Sequence, residues 1–540
     1  MPAINNTTSP PGNSSPLLPR LLERMQDPAR YDHPTKDFEI IETHISYVLL
    51  TGDYAYKFKK PVDLGFLDFS TLEKRRFYCH EELRLNTRLA PSLYDSVVTI
   101  TGTADHPQID GKGPVLEYAV RMRQFDPANR LDRVCERGEL TTAHIDQLAD
   151  DLADFHRKAP VAGRDSIHGT AATISARVEQ NFEQIYQHSN VSNCEHALNP
   201  LKAWCTLKQT ELQDDFAIRH HEGRIRECHG DLHLANCALI DGKVVMFDCL
   251  EFAEDLRWID PLSEVAFLYM DLDQRGHIKL ARRFLNRYLE NANDYQSLTL
   301  FPYYLVYRAM VRAKVAAIEA HQHRNDAALR DQANTRVSDY LDRAMTYSYA
   351  PEPPPLILLQ GLSGSGKSWL ARRLVENLGA ICIRSDVERK RLLGLDPVAS
   401  TRSGVAEGAY SAENTEKVYQ RLYAMAYPVL DAGFPVLIDA TFLKHTQRSS
   451  FQRLSQIAGS PFIILSLQAP DAVLRKRILN RNQHERDASE ATLAVLDHQL
   501  SIAEPITGAE GKHTLVINTA SEIDLEKLTR TLLDTLPLTK

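Results

Sequence analysis

The stretch "PLILLQGLSGSGKSWLARRLVENLG" (355–379) restricts the second half of this chain more than any other feature. Gly361 to Ser368 satisfies G-x-x-x-x-G-K-[ST], between an apolar run and an amphipathic segment stopped by Gly379. Such a loop needs a buried strand before it and a helix N-terminus after it. Gly361, Gly364 and Gly366, with Ser363 and Ser365 between them, let backbone N–H groups curl around phosphate oxygens. Lys367 reaches the outer phosphates and Ser368 offers a hydroxyl to Mg²⁺. Four further apolar runs, "AICIRSD", "FPVLIDAT", "PFIILSLQA" and "HTLVINTA", alternate with helical segments. The pattern predicts a parallel sheet covered on both faces, an α/β P-loop domain over 356–540.

Several acidic and basic positions follow from that frame. Asp439 closes the run "PVLID", where a carboxylate can hold magnesium. Asp386, in "IRSDVERKR", is expected at the end of the next strand, as a base on an acceptor hydroxyl or as a plain helix cap. The arginines of "LRKRILNRNQHER" are either a solvated face or a lid over the transferring phosphoryl group. With "GLSGSGKS", "RSDVERKR", "LIDAT" and "RKRILNR" in place, residues 356 to about 505 resemble the P-loop small kinases related to phage polynucleotide kinase and zeta-toxin-like kinases. The resemblance implies Asp386 as the base and Arg477 and Arg481 as lid residues.

Upstream, "YAPEPPPL" puts four prolines in five positions, which neither a helix nor a sheet interior accepts. It reads as a short spacer, 349–355, after a domain of 31–348. The first 30 residues, rich in Asn, Thr, Ser and Pro at their start, read as a flexible tail. Short apolar runs between 38 and 125 predict a β-rich lobe, and helical periodicity dominates from 140 onward, with Thr141 or Thr142 as an N-cap.

The stretch "CHGDLHLANCALIDGKVVMFDCLEF" carries the chemistry of this first domain. "HGDLHLAN" has the H-x-D-x-x-x-x-N spacing of a kinase-type catalytic loop, with Asp231 for the acceptor's proton and Asn236 for Mg²⁺. Asp241-Gly242 signals a hairpin that returns Asp248, a second metal ligand, towards Asn236. Lys57 in "YAYKF" and Glu82 in "CHEELRLN" complete the lysine–glutamate pair that holds ATP phosphates in kinase-like folds. Residues 38 to about 320 resemble the aminoglycoside phosphotransferase family, which implies a two-lobed α+β protein-kinase-like fold and a small-molecule acceptor. The similarity extends to "RWIDPLSEVAFLYMDL", where it implies Asp260 as the anchor of the catalytic loop. No G-x-G-x-x-G precedes Lys57 and no activation loop follows Asp248, so a protein substrate has no platform. The whole layout resembles bifunctional aminoglycoside phosphotransferase and ATP-binding proteins.

Composition narrows the partners. The net charge is −8, with 43% hydrophobic and 25% charged residues, which argues against a broad grip on nucleic acid. Eight scattered cysteines without a C-x-x-C pair fit a reducing cytoplasm and neither a disulfide framework nor a zinc site. No apolar run approaches the roughly 20 residues of a membrane span. The expected protein is a cytoplasmic enzyme with two ATP- and Mg²⁺-dependent kinase sites acting on small molecules. The competing expectation is a binding or regulatory pseudokinase joined to one kinase, possibly a nucleic-acid 5′-kinase.

Overall fold

A computed structural model describes residues 17–535 apart from 66, 190, 350–352, 397–407 and 485–490. By compactness it divides into Met1–Arg177 with Phe216–Asp271, and Val178–Asp215 with Leu272–Lys540. The division does not fall at the prolines.

In the first unit, six strands form an antiparallel sheet in the order β1-β2-β3-β6-β4-β5. They are β1 (Thr35–Glu42), β2 (Ser46–Gly52), β3 (Tyr54–Lys59), β4 (Tyr94–Thr103), β5 (His106–Ile109) and β6 (Val115–Arg123). The helix Leu72–Asn86, capped by the Thr71 side chain on the Lys74 N–H, packs on β4 and β6. One expectation is corrected here. Residues 17–30 are not tail: Leu17–Arg24 is a helix whose Leu18, Leu21 and Leu22 are buried against Leu49, Tyr56 and Phe58. Leucines at i, i+3 and i+4 make an apolar stripe that the polar composition further upstream obscures. Residues 1–16 lie outside the described residues.

The helical part of this unit includes Thr142–Lys158, which Thr141 caps through the His144 N–H. The catalytic-type loop runs from β7 (Arg226–Glu227) to β8 (Cys237–Ile240), which turns into β9 (Lys243–Met246). Asp241 and Gly242 both have positive φ, 51° and 74°, as a tight hairpin turn requires. A two-residue strand, β10 (Trp258–Ile259), returns to pair with β7.

The second unit is built on five parallel strands: β11 (Leu356–Gln360), β12 (Ile381–Arg384), β13 (Val436–Asp439), β14 (Phe462–Gln468) and β15 (Thr514–Asn518). Their order is β12-β13-β11-β14-β15, and the five apolar runs of the sequence are these five strands. Leu356–Leu359 and Val436–Asp439 are buried throughout, as central parallel strands must be. Helices from before the prolines belong to this unit as well. Ile278–Ala292 packs on the helix Lys367–Leu378 and on β12. There Arg282 Nη1 donates to the carbonyls of Glu376 and Asn377 at 3.1 and 2.8 Å, which caps the C-terminus of that helix. Asn286 Oδ1 accepts from the Cys382 N–H at 2.7 Å, so the sheet edge at β12 is satisfied by this helix.

Candidate phosphate sites

In the first unit, β3 alternates its side chains and sends Lys57 and Lys59 to the same face, two residues apart. Both reach Glu82 of the helix Leu72–Asn86. Lys57 Nζ lies 2.8 Å from Glu82 Oε1 and 2.6 Å from Asp248 Oδ1, and Lys59 Nζ lies 2.7 Å from Glu82 Oε2. Lys59 also pairs with Glu251. The result is an alternating row, Glu251–Lys59–Glu82–Lys57–Asp248. Burial works against the Lys57 ammonium, but Asp248 and Glu82 outweigh it and hold its pKa well above the ordinary value. Burial likewise opposes the Asp248 carboxylate, and Lys57 holds its pKa below the usual range. The sequence pointed to Lys57 and Glu82. It did not point to Lys59 and Glu251, whose only signal was a second lysine at i+2 and a glutamate three residues after Asp248.

Asp248 adopts φ 65°, a left-handed conformation that aspartate tolerates better than most residues, and its N–H donates to Tyr94 Oη at 3.3 Å. Asn236 Nδ2 donates to the Asp231 carbonyl at 2.9 Å and to Asp231 Oδ2 at 3.3 Å. This fixes the amide with its oxygen available as an acceptor. The β2–β3 turn is not an open phosphate cradle, because the N–H groups of Thr51 and Gly52 both donate to Gln124 Oε1, at 3.1 and 2.9 Å.

The loop's anchor differs from expectation. Asp260 is paired with Arg219 and receives the Leu262 N–H, at the start of the helix Pro261–Gln274. The catalytic-type loop is held instead by Glu264 and Asp271 of that helix. Glu264 accepts from the N–H groups of Gly230 at 2.6 Å and His229 at 3.2 Å, and Asp271 accepts from Leu234 N–H at 2.9 Å. Asp260 immediately precedes the helix and Glu264 lies in its first turn, four residues on, which is why sequence position alone favoured the wrong carboxylate. Gly230 has φ 92°, and a Cβ there would stand 3.0 Å from the Leu256 carbonyl. Burial opposes ionisation of Glu264, but His156, 2.8 Å away, brings its pKa down to about 2. Among the described residues His156, Cys228 and Glu264 are close enough to hold a metal. The Glu264 oxygens, however, already serve the loop and His156, so the trio reads as structural.

In the second unit the loop Gly361–Gly366 joins β11 to the helix Lys367–Leu378. Gly364 has φ 81°, and a Cβ there would lie 2.8 Å from the Leu474 carbonyl. Lys367 Nζ donates to the carbonyls of Gly361 and Leu362 at 2.9 and 3.0 Å, folding back over its own loop. Ser368 Oγ donates to Asp439 Oδ2 at 2.6 Å, so the hydroxyl and the carboxylate at the end of β13 meet. Two oxygen donors of this kind suit a hard cation such as Mg²⁺.

Asp386 is not the last residue of a strand. β12 ends at Arg384, and Asp386 is the second residue of the helix Ser385–Leu392, whose N-cap position is Arg384. The capping reading therefore falls away. Asp386 lines the same cavity as Lys367, Ser368 and Asp439, a space of about 1130 Å³. Arg389 stacks over Tyr410, 4.8 Å from the ring centroid, and borders that cavity too. Arg477 is pinned rather than loose: Nη1 donates to the Gly364 carbonyl at 3.3 Å and to Thr519 Oγ1 at 3.1 Å. Arg481 belongs to the helix Asp471–His484, and its side chain lies outside the described residues. Sequence reasoning missed Gln499, whose Oε1 accepts from the Ser363 N–H at 2.8 Å across 136 residues; no local pattern signals such a contact.

Two family models match separate parts of the chain. A family model described as a phosphotransferase enzyme family matches residues 78–301, and one described as an AAA domain matches residues 356–506. Uncharacterized proteins of Mycobacterium tuberculosis (strain H37Rv) and Mycobacterium bovis are each 30% identical over 468 residues, covering 86% of this chain and 91% of theirs. Among solved structures, a choline/ethanolamine kinase family protein from Mesorhizobium loti is 10% identical with a TM-score of 0.38, covering 60% of this chain and 97% of that one. A sugar kinase from Janibacter is 23% identical with a TM-score of 0.27, covering 34% and 97%.

Proposed function

Since the chain belongs to the family of these mycobacterial proteins and is an ATP-dependent phosphotransferase, we propose that it carries two working kinase sites. Each transfers the γ-phosphoryl group of ATP to a hydroxyl of a small molecule. The observation that carries the reading is the meeting of Lys57 with both Glu82 and Asp248, together with the Ser368–Asp439 pair in the other unit.

At the first site Lys57, steadied by Glu82, holds phosphate oxygens, and Asp231 takes the proton of the acceptor hydroxyl. Asn236 and Asp248 are the residues that would hold Mg²⁺. At the second, the loop N–H groups and Lys367 hold the phosphates, and Ser368 and Asp439 are the residues that would hold Mg²⁺. When bound, the cation neutralises charge developing on the phosphoryl oxygens. Asp386, half-buried in the cavity wall with no hydrogen-bond or ion-pair partner among the described residues, would accept the acceptor's proton. Arg477 and Arg481 would balance charge on the transferring group.

The presence of all these groups argues against a pseudokinase reading of the first unit. Eight buried cysteines, none of them in a disulfide among the described residues, support a reducing compartment, and no described helix is long and apolar enough to cross a membrane. The test follows γ-phosphate from labelled ATP into pooled metabolites with the full chain, Asp231→Asn and Lys367→Ala. Each variant is expected to lose a different labelled product. Identical product patterns for all three would reject two working sites.

A further inference from the structure

Trp369 follows Ser368 in the first turn of the helix Lys367–Leu378, and phosphate binding does not require an indole there. It is 43% exposed and lines the same cavity as the loop. The Arg373 guanidinium, one turn on, lies 3.7 Å from its ring centroid, and Arg373 Nη1 donates to the Trp369 carbonyl at 3.1 Å. The indole is therefore backed by a fixed cation and still open to the cavity.

Helix geometry supplies the direction. Successive residues turn by about 100°, so Ser368, whose hydroxyl meets Asp439, and Trp369 address different sides of the helix end. With Lys367, Ser368 and Asp439 taking the outer phosphates, the nucleoside has to leave the loop on a side away from Asp439. Trp369 is the aromatic residue of the cavity wall that stands on the P-loop helix itself. The tyrosines of the wall lie on other elements, and the Tyr419 hydroxyl already receives the Phe442 N–H at 3.0 Å.

We infer that Trp369 is the nucleobase platform of the P-loop site, with the base stacked on its open face and Arg373 fixing the ring from behind. The inference rests on the reading that this loop holds a nucleotide. Because every base has a π-face, such a platform distinguishes a nucleoside triphosphate from bare polyphosphate, and discriminates little among bases.

The experiment titrates the full chain calorimetrically with MgATP, MgGTP and inorganic tripolyphosphate, and subtracts the first site's share with Lys367→Ala. Trp369→Leu is expected to weaken ATP and GTP each by about 10-fold and to leave tripolyphosphate within about twofold. Trp369→Phe is expected to restore most of the lost affinity. Unchanged ATP affinity in Trp369→Leu overturns the platform, as does an equal loss for all three ligands, which would mark damage to the helix end. Failure of all three ligands to bind the unaltered chain beyond what Lys367→Ala retains would remove the nucleotide reading and the platform with it.

Discussion

The two lysines proposed to hold phosphate are themselves held in opposite ways. Lys57 sits between two carboxylates, whereas Lys367 rests on two neutral carbonyls of its own loop. A phosphate arriving at Lys57 enters a row of charges already paired and positioned. One arriving at Lys367 replaces weak contacts that the loop itself supplied. The lysine of the kinase-like site is thus held by long-range ion pairs between a strand, a helix and a hairpin, and the P-loop lysine by carbonyls of its own short loop. The same ligand chemistry can be prepared by tertiary charge pairing or by local chain geometry.

The comparison breaks first on catalysis. Asp231→Asn, tested in the Lys367→Ala background, should lower first-site transfer by roughly 10²–10⁴-fold with ATP affinity kept, the usual range for loss of a general base. Asp386→Asn should do the same to the second site in the Asp231→Asn background, once an acceptor is known. Loss of ATP binding with acceptor kinetics intact would reverse the assignment of either residue.

Stability tests sharpen the contrast. Lys57→Met leaves buried Glu82 without one of its two cations and should cost about 3–5 kcal/mol in the unfolding transition of its unit. Lys367→Met removes hydrogen bonds to two neutral carbonyls and should cost about 1–2 kcal/mol. Equal costs, read by denaturant unfolding of the full chain, would erase the distinction.

Acid provides a further test. The Glu264 pKa is lowered from 4.5 to about 2 in the fold, so its stabilising contribution is complete above about pH 5 and is lost as the pH falls through 4 towards 2. That contribution is roughly 3 kcal/mol at neutral pH. The stability difference between the unaltered chain and Glu264→Gln should therefore shrink across that window. A difference that stays constant with pH would mean that the carboxylate's charge is not what anchors the loop.

The sequence was most informative where chemistry and local structure coincide. "GLSGSGKS" named its own strand, loop and helix, and Asp241-Gly242 named its hairpin, because glycine and aspartate at those positions answer backbone demands a few residues away. It was least informative where a contact spans the chain. Nothing told whether Asp260 or a carboxylate of the helix after it would meet the Gly230 N–H, and nothing near Gln499 told that its amide would meet Ser363. The helix Leu17–Arg24 was hidden for another reason: its leucine stripe is short and follows a polar run, so composition outweighed periodicity.

The packing of Ile278–Ala292 against the P-loop helix and β12 has a consequence for how this chain can be cut, moved or made. The second half is not a transferable cassette, since its sheet edge and one helix end are completed by Asn286 and Arg282, encoded well before the prolines. On the ribosome that helix emerges about a hundred residues ahead of the strand it serves, and waits for it. A truncation at residue 349 would release a polypeptide with an unpaired strand amide and an uncapped helix, a surface inviting association with other chains. Gene rearrangements that shuffle this P-loop unit should therefore carry the upstream helix with it.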